Sequence, residues 1–178
     1  IYPTQEMIYK RVITMSNLPV GLFQKIFEWA KILLRQVSGN QYPIKKSKSA
    51  TSIGIRVVDP GSCNDCEKEI AALENPYYNI QRMGISIEAS PRHADILLIT
   101  GPLTRNMEQA VRLTFEAMPQ PRRVISVGDN IEAENLFKDS YAVLPLPDSI
   151  MAAHIGHIPG DPPTPGEIID YISQLPTM

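Results

Sequence analysis

The chain has 178 residues, of which 43% are hydrophobic, and its formal net charge is −2. A chain of this size can form one globular domain with a core and some appended structure. It has no surplus of basic residues to neutralise a phosphate backbone, so we expect no nucleic-acid partner. No apolar run approaches the ~20 residues that a membrane-spanning helix requires.

Residues 1–50 differ in pattern from the rest and are predicted to be an N-terminal extension. Between positions 22 and 37, apolar residues recur at helical spacing, and Lys25, Glu28, Lys31 and Arg35 lie between them. This pattern predicts an amphipathic helix, followed by a lysine-containing linker over 43–49. The helix packs either on the domain or a partner subunit, or in a membrane interface, where its aromatic and basic residues would separate to opposite sides.

From residue 51 the pattern changes to short strands that alternate with helices. Strands are predicted at 53–58, 84–88, 94–99 and 123–127, and helices at 63–73, 106–118 and 166–175. Continuous apolar strands separated by helices indicate a parallel sheet covered on both faces, so residues 51–178 are predicted to form an α/β domain. Ligands of such sheets gather at the carboxyl ends of the strands. The loops after Val58, Thr100 and Val127 fall there.

The first of these loops contains the chain's two cysteines, Cys63 and Cys66. A CxxC pair can bind an iron–sulfur cluster or zinc, or form a redox disulfide. The metal interpretations need further ligands, and the chain has no other cysteine. Asp65 places a carboxylate between the thiols, which disfavours the low thiol pKa that disulfide oxidoreductases use.

Four motifs in order give the chain a family resemblance. It resembles the small electron-transfer subunit of group 4 nickel–iron hydrogenases and the homologous 20 kDa subunit of respiratory complex I. The motifs lie at residues 59–70, 89–101, 118–128 and 157–168. The resemblance covers roughly 53–175 and implies a flavodoxin-like fold that holds one 4Fe–4S cluster beside a large catalytic or quinone-site subunit.

The chain departs from this family at two of the four cluster ligands. Cys63 and Cys66 match ligand positions, whereas Asn130 and Asp161 stand where the family has its third and fourth cysteines. The loop after the third cysteine is also replaced, by residues 131–135. Three hypotheses follow: a cluster held by both thiols with Asp161 and Asp129 as oxygen ligands, loss of the cluster, or another metal or a reversible disulfide at Cys63, Cys66 and Asp161. Carboxylates suit soft iron–sulfur units poorly, so we favour no cofactor.

Other polar residues have weaker interpretations. Arg92 and His93 lie in a motif that the family uses near its cluster, where a basic group would raise the potential; a capping and packing role is the alternative. Glu67 and Glu69 follow the cysteines, and an exposed helix acid is the more frequent case than a proton relay. His154 and His157 could be metal ligands, but we expect polar residues of a flexible loop.

The resemblance implies a peripheral-arm subunit on the cytoplasmic side of a membrane complex. Its expected partners are a hydrogenase- or complex I-type large subunit, a ferredoxin-like subunit and membrane-arm subunits, with residues 22–37 as a candidate membrane contact. The chain would dock the large subunit to the membrane arm, with its cluster site degenerate. It would belong to an oxidoreductase-type complex without being catalytic alone. The alternatives are an electron-transfer subunit with altered cluster ligation, and a thiol redox or metal-binding module.

Overall fold

The structure is a computed structural model that describes residues 30, 42–43, 52–129, 137 and 139–175. The chain divides between Asn40 and Gln41, and all the elements described here belong to the second unit. Its strands are β1 (Ile53–Val58), β2 (Ile85–Ile87), β3 (Ile96–Thr100), β4 (Leu103–Thr104), β5 (Arg123–Val127), β6 (Val143–Leu144) and β7 (His154–Ile158). Its helices are α1 (Asp65–Ala72), α2 (Glu108–Ala117), α3 (Asp148–Met151) and α4 (Pro165–Ser173), with 3₁₀ turns at Ile80–Met83 and Pro91–His93.

Five of the strands form one parallel sheet in the order β2-β1-β3-β5-β7. β4 and β6 pair separately as a short antiparallel ribbon. Apart from that ribbon, the order is the 2-1-3-4-5 arrangement of flavodoxin-like folds, which confirms the fold class predicted from the sequence. The carboxyl ends of β1, β3, β5 and β7 therefore meet at one edge of the sheet.

The sheet separates two layers of buried apolar side chains. One layer contains Cys66 and Ile70 of α1 and three isoleucines of α4, packed against alternate residues of the strands. The other contains Val111 and Phe115 of α2 with Ile150 of α3. All five residues of β3 are buried. This burial explains why the central strands are apolar throughout instead of alternating.

The structure departs from the predicted elements mainly in the last third of the chain. The stretch 154–158, predicted as part of a loop, forms edge strand β7. The short elements β4, β6 and α3 were also missed. Among the described residues, no helix is both long and apolar enough to cross a membrane. The predicted helix over 22–37, apart from Ala30, and the linker, apart from Pro43, lie outside the described residues.

Candidate functional site

A cavity of about 180 Å³ opens at the edge where the strands end. The loops after β1, β3, β5 and β7 all contribute to it, because these four strands finish beside it. Among the described residues the cavity is lined by Gly61, Ser62, Cys63, Cys66, Gly101, Pro102, Gly128, Phe137 and Asp161. The sequence placed a site at this edge, and the structure brings both cysteines and Asp161 to it. Phe137 was not predicted, since no motif marks it.

The loop that carries the cysteines is shaped by its own polar groups. The Asp59 carboxylate accepts hydrogen bonds from the backbone N–H groups of Gly61 (2.8 Å) and Ser62 (2.7 Å). Asn64 then adopts a left-handed conformation with φ of 71°, which asparagine tolerates better than most residues. As a result helix α1 begins at Asp65, two residues later than predicted. Cys63 thus lies in the loop and Cys66 in the first turn of the helix.

The two thiols occupy different environments. Cys66 is only 3% exposed, whereas Cys63 is exposed and its thiol lies 3.5 Å from the Asp65 carboxylate. Burial, followed by the negative charges of Glu67 and Asp161, raises the pKa of Cys66 to about 12. Disulfide oxidoreductases of the CxxC type need a lowered thiol pKa, so Cys66 is tuned in the opposite direction.

A close backbone approach fixes the position of the Cys66 thiol. Gly128, directly after β5, has φ of +93°, and a Cβ added there would lie 2.9 Å from Cys66 Sγ. A side chain at this position would therefore both strain the backbone and displace the sulfur. The loop after β5 and the first turn of α1 are in direct contact as a consequence.

Glu67 connects the loop after β1 to the end of β3. Its carboxylate accepts a hydrogen bond from the Ser62 hydroxyl at 2.7 Å and contacts the hydroxyl of Thr100, the buried last residue of β3. The sequence favoured an exposed acid here, and the structure corrects this, because Glu67 points from the first helical turn toward the sheet. The sequence feature that could have indicated this contact is the position of Glu67 directly after Cys66.

The loops after β5 and β7 supply the remaining predicted residues. The Asp129 carboxylate accepts a hydrogen bond of 2.8 Å from the backbone N–H of Gly160, which joins the two loops, and it does not line the cavity. Asp161 lines the cavity. Asn130 and residues 131–135 lie outside the described residues.

Arg92 and His93 are placed away from the cavity. Both are exposed residues of the 3₁₀ turn that precedes β3, whereas the cavity lies beyond the other end of that strand. At about 3.3 Å per residue, the five residues of β3 separate the two ends by roughly 16 Å. The structure therefore does not bring these two residues to the candidate site.

The donor set at the cavity does not fit a cluster that requires four thiolates. Among the described residues it offers two thiols and one carboxylate, and a carboxylate is a hard ligand for soft iron–sulfur units. Within the described part of the chain, no three His, Cys, Asp or Glu side chains are arranged to hold a metal ion. We therefore assign no chemical step at this site to a cluster.

Residues 63–175 match the profile of the family described as NADH ubiquinone oxidoreductase, 20 kDa subunit. The chain belongs to this family. The match begins within the first motif, includes the other three motifs, and so confirms the resemblance seen in the sequence.

Named relatives point in the same direction. The chain is 41% identical over 113 residues to the probable membrane-bound hydrogenase subunit mbhJ of Pyrococcus furiosus, covering 63% of this chain and 66% of that protein. It is 43% identical over 108 residues to formate hydrogenlyase subunit 7 of Escherichia coli, covering 61% of this chain and 42% of that protein. An uncharacterized protein of Methanocaldococcus jannaschii is 38% identical over 124 residues, or 70% and 82% of the two chains.

A solved structure shares the fold. A chain of the archaeal membrane-bound sulfane sulfur reductase, a respiratory membrane complex, superposes with a TM-score of 0.55 at 24% identity. The superposition covers 84% of this chain and 73% of that one. At this identity the similarity shows the fold alone. The family match and the named relatives place the chain among subunits of complex I-like and hydrogenase-related oxidoreductases.

Proposed function

We propose that this protein is a peripheral subunit of a membrane-bound complex related to complex I and group 4 hydrogenases. There it docks the large subunit to the membrane arm, on the cytoplasmic side. The ancestral 4Fe–4S site is degenerate, so the subunit acts in assembly and coupling and carries no electrons itself. The observation that carries the proposal is family membership combined with Asp161 at a family cysteine position beside the cavity.

The state of Cys66 further supports this assignment. The thiol packs in the core cluster with Ile70 of α1 and Ile158 of β7, and its raised pKa keeps it neutral. A buried neutral thiol behaves as a small apolar side chain. Cys66 therefore has a packing role that does not depend on a cofactor.

The alternatives are each opposed by one feature. A cluster with two thiolate and two oxygen ligands needs two carboxylates, and among the described residues only that of Asp161 lines the cavity, while that of Asp129 is bonded to the neighbouring loop. Thiol–disulfide exchange needs a readily ionised thiol, and burial of Cys66 opposes ionisation.

The first experiment identifies the partners. The chain, tagged at one end, is purified from detergent-solubilised native membranes, and co-purifying proteins are quantified by mass spectrometry. We expect a complex I- or hydrogenase-type large subunit and membrane-arm subunits in stoichiometric amounts. Recovery of the chain as a stable monomer without such partners would reject the docking role.

The second experiment examines the cluster. Iron and acid-labile sulfide are measured in the anaerobically purified subunit, and EPR spectra are recorded after reduction; we expect neither iron–sulfur stoichiometry nor a cluster signal. The matched control is the double variant Asn130→Cys, Asp161→Cys, which returns thiols to all four family positions. A stoichiometric paramagnetic cluster in the unmodified protein would refute the degenerate site.

A further inference from the structure

An irregularity in β7 places two histidines on the same side of the sheet. The pairing of β5 with β7 shifts register between Val124, opposite His154, and Ile125, opposite Gly156, so Ile155 is an extra residue on β7. Without the bulge, residues three apart on a strand would point to opposite faces. With it, His154 and His157 both face the side chain of Ser126 on β5.

The three side chains form a continuous hydrogen-bonded chain. Ser126 Oγ, in a residue only 2% exposed, lies 3.0 Å from His154 Nε2 and 2.8 Å from His157 Nδ1. A hydroxyl has one proton, so it donates to one imidazole and accepts from the other. On its other side His157 Nε2 lies 3.8 Å from Asp129 Oδ1, which is too long for a hydrogen bond but close enough for an ion pair when the imidazole is charged.

One end of this chain, His157, faces the carboxylate of Asp129, which connects two loops of the cavity. Asp129 follows β5 and its Oδ1 accepts from the N–H of Gly160, which follows β7. These loops carry Asn130 and Asp161, the two positions where the family has cysteines. In a four-thiolate site the cluster itself would connect the loops. In this protein the hydrogen bond between Asp129 and Gly160 connects them.

We propose that Asp129, through its hydrogen bond to the Gly160 amide and with His157 facing it, is a positioning residue that holds the loops after β5 and β7 together in place of a metal cluster. The inference rests on the proposed loss of the cluster. It gives a role to the hydrogen-bonded chain of His154, Ser126 and His157, which was not predicted from the sequence. It also accounts for a cavity that is formed although two of the family's thiolates are missing.

The test measures how firmly the two loops are held. In the full chain carrying Cys63→Ser, so that Cys66 is the only thiol, the variants Asp129→Ala, Asp129→Asn and Ser126→Ala are compared. Hydrogen exchange of the Gly160 amide and the rate of N-ethylmaleimide labelling of Cys66 are recorded. Asp139→Ala is the matched control, because it removes one exposed aspartate outside the bonded chain. Urea unfolding of every variant separates local loosening from a change in global stability.

We expect Asp129→Ala to raise both rates about tenfold, as for loss of one charged hydrogen bond. Asp129→Asn keeps an oxygen acceptor and should restore most of the protection, and Ser126→Ala should give an intermediate effect. The ring ¹⁵N shifts of His157 should change in Ser126→Ala, because that substitution removes the hydrogen-bond partner of Nδ1. Equal rates in Asp129→Ala and Asp139→Ala, or no rescue by Asp129→Asn, would overturn the inference. Iron and sulfide in the unmodified protein would instead remove the proposed function.

Discussion

Replacing Cys66 by alanine should remove much of the protein's sensitivity to alkali. The pKa of Cys66 rises from 9.0 to about 12 in the folded state, mainly because the thiol is buried. Above pH 9 the thiol of the unfolded chain loses its proton while the folded thiol keeps it. Folding then binds a proton, so stability falls as the pH rises. The stability that the neutral, buried Cys66 thiol contributes is fully present below pH 9 and is lost by about pH 12.

The size of the effect follows from the shift. The pKa of Cys66 rises by three units, from 9 to about 12. At 1.36 kcal/mol per unit this rise corresponds to about 4 kcal/mol, and half of it corresponds to about 2 kcal/mol. Between pH 9 and 10.5 the free energy of unfolding of the wild type should therefore fall about 2 kcal/mol further than that of Cys66→Ala. Titration of lysines and tyrosines is common to both proteins and cancels in this difference.

The assay is urea unfolding followed by circular dichroism at pH 8, 9, 10 and 10.5, with a phosphine reductant present. Cys63→Ala is the matched control, since it removes the exposed thiol of the pair and should fall in parallel with the wild type. Cys66→Ala starts from lower stability because it leaves a small cavity, but only the slopes are compared. Parallel slopes for the wild type and Cys66→Ala would refute the assignment of a neutral, deeply buried thiol.

Three further substitutions test the packing around the site by urea unfolding. In Gly156→Ala the new Cβ would overlap the Tyr171 hydroxyl; we expect a loss of about 1–3 kcal/mol, and a smaller loss when Tyr171→Phe is also present. Thr164→Ala removes the capping box of α4 and should cost about 1 kcal/mol, with Thr164→Ser nearly neutral. Glu67→Ala breaks the connection to Ser62 and Thr100 and should cost about 1–2 kcal/mol, of which Glu67→Gln should recover part. Equal stability of Glu67→Ala and the wild type would show that this connection is not stabilising.

The central strands could be predicted well from the sequence, because strands that are buried on both faces consist of short runs of apolar residues. The predicted bounds of β1 and β5 agree with the structure, since these strands are short apolar runs between turn residues. β7 gave no such signal. It is an edge strand with one open side, its histidines are hydrogen-bonded rather than apolar, and the bulge at Ile155 breaks the alternation by which strands are recognised.

The position of the candidate site could be predicted from the sequence, but the surroundings of its side chains could not. Cys63 and Cys66 could be assigned to the edge where the loops of parallel strands meet. Asp161 could be grouped with them only through the family resemblance, because strand β7 before it was not predicted. The difference in burial between the two thiols depends on where helix α1 begins, and that depends on the left-handed conformation of Asn64. The role of Glu67 depends on a hydroxyl 33 residues away in sequence. Local patterns contain no information on such contacts.

The two cysteines need different explanations. Cys66 fills a place in the core, and Gly128 leaves room for its sulfur and little else. Packing is sufficient to account for a cysteine there, with or without a cofactor. Cys63 is exposed and its thiol lies 3.5 Å from the Asp65 carboxylate, so packing does not account for it. Substitution of Cys66 therefore reports mainly on the fold. A functional defect in the assembled complex caused by Cys63→Ser, at unchanged stability, would mark Cys63 as the residue through which any remaining thiol chemistry acts.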